Sequence, residues 1–261
     1  MSRSGEVTAP AQELFASRFR RDGFAVARKL VPLDECTVMR AAVERALDPL
    51  EAPVEYEADV GYPGSPDNRA APGGLTPRRL LNAYSRHDAF RRIATHPSIA
   101  ASLRQLFHPN GFALSQCHHN CIMTKQPGFS SKTLWHQDIR YWSFDEPELI
   151  SVWVAMGEER ESNGSLRVIP GSHQLELDRG RLDHALFLRP ELEENDSLIG
   201  RAEVLELDPG DVLFFHCRLF HAAGANRTDE VKLSAVFTYH TQDNQPIPGT
   251  RSSQYPSIPI A

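Results

Sequence analysis

The hydrophobic period of this chain changes near residue 112, and that change decides what it can fold into. Ahead of it, apolar residues recur at helical spacing. Met39, Val43, Ala46, Leu47 and Leu50 share one face, and a second helical pattern runs from Asp88 to Phe107, interrupted at Pro97. Asp34 stands where a capping side chain would start the first of these helices. A charged, partly apolar segment from Ala11 to Arg21 and a short β-like run from Phe24 to Ala27 precede it. From Phe112 onward an alternation of period two predicts strands over 112–124, 135–143, 149–157, 165–169, 202–207, 211–216 and 231–240. The turn Asp208-Pro209-Gly210-Asp211 joins two of them.

Helices first and a run of short strands after predict one α+β domain spanning residues 1–261. Its mainly helical part covers about 1–110, a jelly-roll (double-stranded β-helix) core about 111–245, and a tail 246–261. Two segments break the pattern. Residues 49–77 hold six prolines and four glycines, and residues 174–200 read as a charged insertion between strands. Long irregular segments in a compact domain often serve function, so both are expected to shape an entrance.

Composition narrows the function classes. The net charge of −6 is spread along the chain without a basic cluster, which argues against nucleic-acid binding. No apolar run approaches the roughly 20 residues needed to cross a bilayer. The opening Met-Ser-Arg-Ser-Gly-Glu lacks the apolar stretch of a secretory signal. These features predict a cytoplasmic protein whose partner is a small molecule, with neither nucleic acid nor membrane. The four cysteines are too few and scattered for a disulfide framework. In Cys117-His118-His119-Asn120-Cys121, a strand would put Cys117, His119 and Cys121 on one face. No second ligand pair lies at zinc-finger spacing, so structural or pocket-lining roles are expected there.

The sharpest local feature is Trp135-His136-Gln137-Asp138. On an extended strand residues i and i+2 project from the same face, so His136 and Asp138 present an imidazole and a carboxylate together. Iron(II) accepts that mixed set, and a further histidine completes a 2-His-1-carboxylate face with open positions. The segment Phe214 to Gly224 offers two candidates, His216 and His221. In Val231-Lys232-Leu233-Ser234, alternation puts Lys232 and Ser234 on one face, a basic group beside a hydroxyl that suits a carboxylate. An inward lysine is costly to bury alone, so a bound anion would give it a reason to be there.

Taken together, these strings and their order resemble the phytanoyl-CoA dioxygenase family. Phe19-Arg20-Arg21-Asp22-Gly23-Phe24-Ala25-Val26 resembles the family's opening, and Arg79-Leu80-Leu81-Asn82-Ala83-Tyr84 an early recurring segment. Lys125-Gln126-Pro127 precedes the His136-x-Asp138 motif as expected. Asn163 to His173 and Gly210 to Asn226 supply the remaining matches. The resemblance implies a non-haem Fe(II)- and 2-oxoglutarate-dependent dioxygenase that uses O2, hydroxylates a small molecule and releases succinate and CO2. It also implies that His136, Asp138 and His221 hold the iron, whereas His216 and His173 do not. The family's basic residue for the far carboxylate of 2-oxoglutarate falls 11 positions after the last histidine (221 + 11 = 232), which is Lys232 here in place of the usual Arg. Ser234, Lys125 and Trp153 join Lys232 as co-substrate-binding candidates, Trp135 and Tyr141 as further cavity walls, and Arg227 as a lesser substitute. Two other readings stay open on the sequence: a non-catalytic metal- or ligand-binding jelly roll, and a cupin-like metalloenzyme that does not use 2-oxoglutarate.

Overall fold

This computed structural model describes residues 9–107 and 111–260; the opening hexapeptide lies outside the described residues. The strands are β1 (Phe24–Ala27), β2 (Val54–Tyr56), β3 (Pro77–Leu81), β4 (Phe112–Lys125), β5 (Thr133–His136), β6 (Leu149–Ala155), β7 (Leu166–Val168), β8 (Glu203–Val204), β9 (Val212–His216), β10 (His221–Ala223), β11 (Lys232–Thr241) and β12 (Ile258–Ile260). The helices are α1 (Ala9–Asp22), α2 (Leu33–Leu47), α3 (Ala83–Arg86), α4 (Asp88–Ala94), α5 (Pro97–Leu106) and α6 (Glu193–Ile199). The larger sheet runs β1-β9-β6-β11-β4-β3-β2, with β12 also on β4, and the smaller runs β5-β10-β7-β8. Every pairing between these strands is antiparallel, which gives the jelly roll expected from the strand run.

Strand β11 shows why the larger sheet sits where it does. Leu233, Phe237 and Tyr239 pack on the helical layer with Met39, Val43, Phe90, Ile93 and Leu103. Val236, from the opposite face, packs between the sheets with Trp153, Leu213, Phe215, Leu166 and Val168. Both faces are therefore buried, and each large side chain such as Phe237 contributes about 1.5–3 kcal/mol of burial. The Tyr239 hydroxyl donates to the Ala94 carbonyl at 2.7 Å and pins α4 to the sheet.

Several expectations are corrected. The predicted strand 135–143 ends at His136, and Asp138–Tyr141 forms a 3-10 turn instead. The short strand β10 was not anticipated, and Pro32 rather than Asp34 precedes α2, with Asp34 inside the first turn where it complements the helix dipole. Residues 49–77 are not wholly irregular, since they contain β2 and the 3-10 turn Glu57–Asp59. The segment 174–200 holds a 3-10 turn and α6.

Candidate metal centre and adjoining cavity

Antiparallel pairing of β10 with β5 sets His221 directly opposite His136. Opposed residues share a face, so the two rings meet with centroids 4.3 Å apart. Asp138 joins them although the strand has ended, because Gln137 keeps an extended backbone (φ −108°, ψ 134°) and preserves the i, i+2 alignment. Asp138 Oδ1 lies 3.3 Å from His136 Nε2 and 3.5 Å from His221 Nε2. All three residues are buried.

The hydrogen-bonding pattern shows what such a cluster is built for. His136 Nδ1 donates to the Leu134 carbonyl at 2.8 Å, and His221 Nδ1 to the Leu219 carbonyl at 3.0 Å. A carbonyl only accepts, so both Nδ1 atoms carry a proton and each Nε2, a lone pair when the ring is neutral, is turned toward Asp138, the arrangement of metal-ligating histidines. Both oxygens of Asp138 are buried without a hydrogen-bond partner. Buried polar atoms are seldom left so, and a cation fits the space that these atoms face. Burial works to raise the Asp138 carboxyl, but the imidazoles of His119 and His221 hold it well below the usual carboxylate range. Burial depresses the His136 imidazole; at His221 burial also works downward, but the Asp138 charge together with the contacts to Asp138 and the Leu219 carbonyl raises it.

A bulge in β4 brings His119 to the same centre. Register passes from Asn120↔Phe237 to Ser115↔Thr238, which leaves 116–119 without partners, and His118 adopts φ +60°. Cys117, His119 and Cys121 therefore do not share a face. Cys117 packs with Trp142 and Phe144, whereas Cys121 lies between the sheets. His119 Nδ1 sits 3.4 Å from Asp138 Oδ2 and 3.2 Å from Ser151 Oγ, with its pKa depressed to about 4 by burial. His118, His119 and Asp138 form a second possible ligand group that shares Asp138.

The cavity beside this centre is lined by Lys125, Lys232, Trp153, Arg78, Tyr141 and Tyr62, among others. Its cations differ in one respect. Arg79 pairs with Glu55, Arg78 lies 3.5 Å from Glu55 and 3.6 Å from Glu57, and Lys232 Nζ is 3.1 Å from Glu159 Oε2. Lys125 has no carboxylate within ion-pair distance among the described residues; its Nζ donates to the Ser131 carbonyl at 3.2 Å. Burial, with Arg78 and Lys232 nearby, pushes the Lys125 ammonium down to about 7. Gly164 (φ +79°) makes room for it, since a Cβ there would come 2.6 Å from Lys125 Cε and 2.5 Å from the Gly224 carbonyl.

The sequence-derived candidates are thus distributed as follows. His136, Asp138 and His221 converge, and Lys125, Lys232, Trp153 and Tyr141 line the cavity beside them. Ser234 is wholly buried behind Lys232, where its hydroxyl donates to Glu159 Oε1 at 2.6 Å. Trp135 packs away from the cavity near Ile169, Leu188 and Phe220. Arg227 stays in its turn, with its backbone N–H on the Ser162 carbonyl at 2.9 Å. His216 pairs with Glu148 at 3.0 Å, and His173 fits against Gly23 with Nε2 3.2 Å from the Arg20 carbonyl.

Sequence reasoning missed Glu159, Glu57, Tyr62 and Phe187. Glu159 sits in the charged run Glu158-Glu159-Arg160-Glu161, which looks like a solvated turn. The only signal for it was the inward Lys232, which needs a counter-charge from somewhere. Glu57 comes from the Pro/Gly-rich segment and accepts from the Ser131 N–H at 3.1 Å and hydroxyl at 2.6 Å. At the mouth, Tyr62 from that segment meets Tyr141 hydroxyl to hydroxyl at 3.1 Å. Phe187 from the 174–200 segment approaches Tyr62 at 5.7 Å and His136 at 5.8 Å between ring centroids.

Comparisons with known proteins identify what the chain as a whole resembles. The sequence profile of phytanoyl-CoA dioxygenase matches residues 19–234. An ectoine dioxygenase of Stutzerimonas stutzeri is 24% identical, with 93% of this chain and 81% of the relative covered. The epimerase SnoN, solved with Fe3+, α-ketoglutarate and nogalamycin RO, superposes with a TM-score of 0.71 at 25% identity and covers 97% of both chains. EctD from S. alaskensis, solved with 2-oxoglutarate and 5-hydroxyectoine, gives a TM-score of 0.72 at 21% identity over 94% of this chain and 80% of its own.

Proposed function

Because the chain belongs to the phytanoyl-CoA dioxygenase family, which makes it an iron- and 2-oxoglutarate-dependent dioxygenase, we propose that His136, Asp138 and His221 are its iron ligands and that it hydroxylates a small-molecule substrate. The single observation that carries the ligand assignment is the pair of buried, unpartnered Asp138 oxygens facing two Nε2 lone pairs. When bound, iron with 2-oxoglutarate supplies the means to oxidise a C–H bond with O2, releasing succinate and CO2.

The chain's own residues do the rest. The Leu134 and Leu219 carbonyls fix the ring orientation of the two histidines, and His119 holds Asp138 from the other side. Lys125, which has no ion-pair partner among the described residues, offers its ammonium to an anionic co-substrate, with Lys232 and Trp153 forming the adjoining wall. Tyr62, Tyr141 and Phe187 narrow the mouth over His136, which favours exclusion of water once substrate is seated. No described helix is long and apolar enough to cross a membrane. Four free, buried cysteines suit a reducing compartment, in keeping with a cytoplasmic enzyme.

The test is spectroscopic. Iron-free protein is loaded with Fe(II) without oxygen and its visible spectrum is followed as 2-oxoglutarate is added. The proposal predicts a weak band that saturates at one equivalent per site and is absent in His136→Ala, with succinate formed once oxygen is admitted. Bound iron with no such band in the wild type would overturn it.

A further inference from the structure

Lys232 stands where a free cation would be expected to receive the far carboxylate of 2-oxoglutarate, yet its charge is already matched. Glu159 is fully buried behind the cavity wall. Its Oε2 accepts from Lys232 Nζ at 3.1 Å, and its Oε1 accepts from the Ser234 hydroxyl at 2.6 Å and from Trp153 Nε1 at 2.8 Å. Lys232 Nζ also lies 3.4 Å from Ser234 Oγ and 5.0 Å from the centroid of the Trp153 ring. Three donors, two from β11 and one from β6, thus converge on one internal carboxylate. Neighbouring strands make this possible: Ser234 pairs with Ala155 at the end of β6, and Glu159 follows four residues on.

We infer that Glu159 is a standing counter-ion that discharges Lys232 and so sets how tightly the chain holds its dicarboxylate co-substrate. The inference rests on the co-substrate reading given above. A lysine and a glutamate in contact present almost no net charge to the cavity, so the attraction for an incoming carboxylate comes chiefly from Lys125. Arg78 and Arg79 add little because Glu55 and Glu57 offset them. At the same time the buried Glu159 repels that carboxylate across a low-dielectric wall, where a charge is screened far less than in water. Replacing it with glutamine keeps an acceptor for Ser234 and Trp153 but removes the negative charge. Lys232 then needs an external anion, and 2-oxoglutarate is the one at hand.

The experiment is anaerobic calorimetric titration of the Fe(II)-loaded protein with 2-oxoglutarate, and in parallel with 2-oxobutyrate, which lacks the far carboxylate. Glu159→Gln is expected to bind 2-oxoglutarate about tenfold or more tightly than the wild type, as a close charge removed from a binding site allows. Its affinity for 2-oxobutyrate should stay unchanged. Equal or weaker binding of 2-oxoglutarate by Glu159→Gln overturns the inference, because Glu159 would then be serving only to hold Lys232 in place. A double variant, Lys232→Met with Glu159→Gln, gives a second readout that avoids an unpaired buried lysine. Since the pair carries no net charge, it should bind 2-oxoglutarate within about threefold of wild type, and a loss of about a hundredfold would make Lys232 the anchor and sink the idea. No 2-oxoglutarate binding by the wild type or any variant would instead overturn the co-substrate reading itself.

Discussion

The two ends of the cavity are built on opposite principles. At the metal end, the Asp138 oxygens have no hydrogen-bond partner although they are buried, and two histidine lone pairs converge on them. At the far end, both oxygens of Glu159 are hydrogen-bonded, with three donors supplied by Lys232, Ser234 and Trp153. Both are wholly buried carboxylates near basic side chains, so burial and charge alone do not tell them apart. Hydrogen-bond satisfaction does: the incomplete cluster awaits a ligand from outside, whereas the complete one finds its partners within the chain. Lys125, opposite Lys232 on β4 and without an ion-pair partner among the described residues, belongs with the incomplete group.

The strongest way to break this comparison is to remove that lysine. Lys125→Met should raise the 2-oxoglutarate dissociation constant about a hundredfold with the protein still folded, measured by the same anaerobic titration. An unaltered constant would return the anchoring role to Lys232. The same lysine carries a pH dependence. With its pKa near 7, Lys125 is charged below that value and loses its proton above it, so wild-type affinity for 2-oxoglutarate should fall as pH rises from 7 to 9. The dependence should vanish in Lys125→Met. In the ligand-free protein the sign is reversed for stability. Between pH 7 and the ordinary lysine value of 10.5 only the unfolded chain holds that proton, so this group makes stability rise with pH there.

A smaller effect sharpens the comparison from the backbone side. Gly164→Ala would drive a Cβ against Lys125 and the Gly224 carbonyl at a positive φ. It should cost about 1–3 kcal/mol in denaturant unfolding and weaken co-substrate binding along with it. Normal 2-oxoglutarate affinity in that variant would show that Lys125 need not sit where it does.

Much of this was legible in the sequence, for reasons particular residues make plain. The His136-x-Asp138 pairing depends only on an extended residue between the two, so it held even though the strand stopped at His136. The partner histidine depended on long-range strand pairing, and spacing alone left His216 and His221 open until the resemblance to known motifs separated them. The β4 bulge was out of reach, because an apolar strand with an inserted stretch looks the same in sequence as one without. Glu159 was hidden for a different reason. A glutamate in a run of charges reads as solvated, and only the pairing of β6 with β11 turns it inward against Lys232. Lys232 itself was read correctly as an inward lysine that needs an anion, but the chain supplies that anion internally.

The central claim, that the Asp138 carboxylate is left incomplete for iron, is tested most directly by melting the wild type and Asp138→Asn at pH 8, each with and without Fe(II) under anaerobic conditions. The account predicts that Fe(II) raises the melting temperature of the wild type and leaves the variant unmoved. It also predicts that the iron-free variant keeps the fold and melts at most about 4 °C below the wild type, since neither Asp138 oxygen has a hydrogen-bond partner and only the nearby imidazoles favour its charge. An iron-free Asp138→Asn that melts far below the wild type, with its Fe(II) shift intact, would show that the carboxylate holds the fold together and that the metal binds elsewhere.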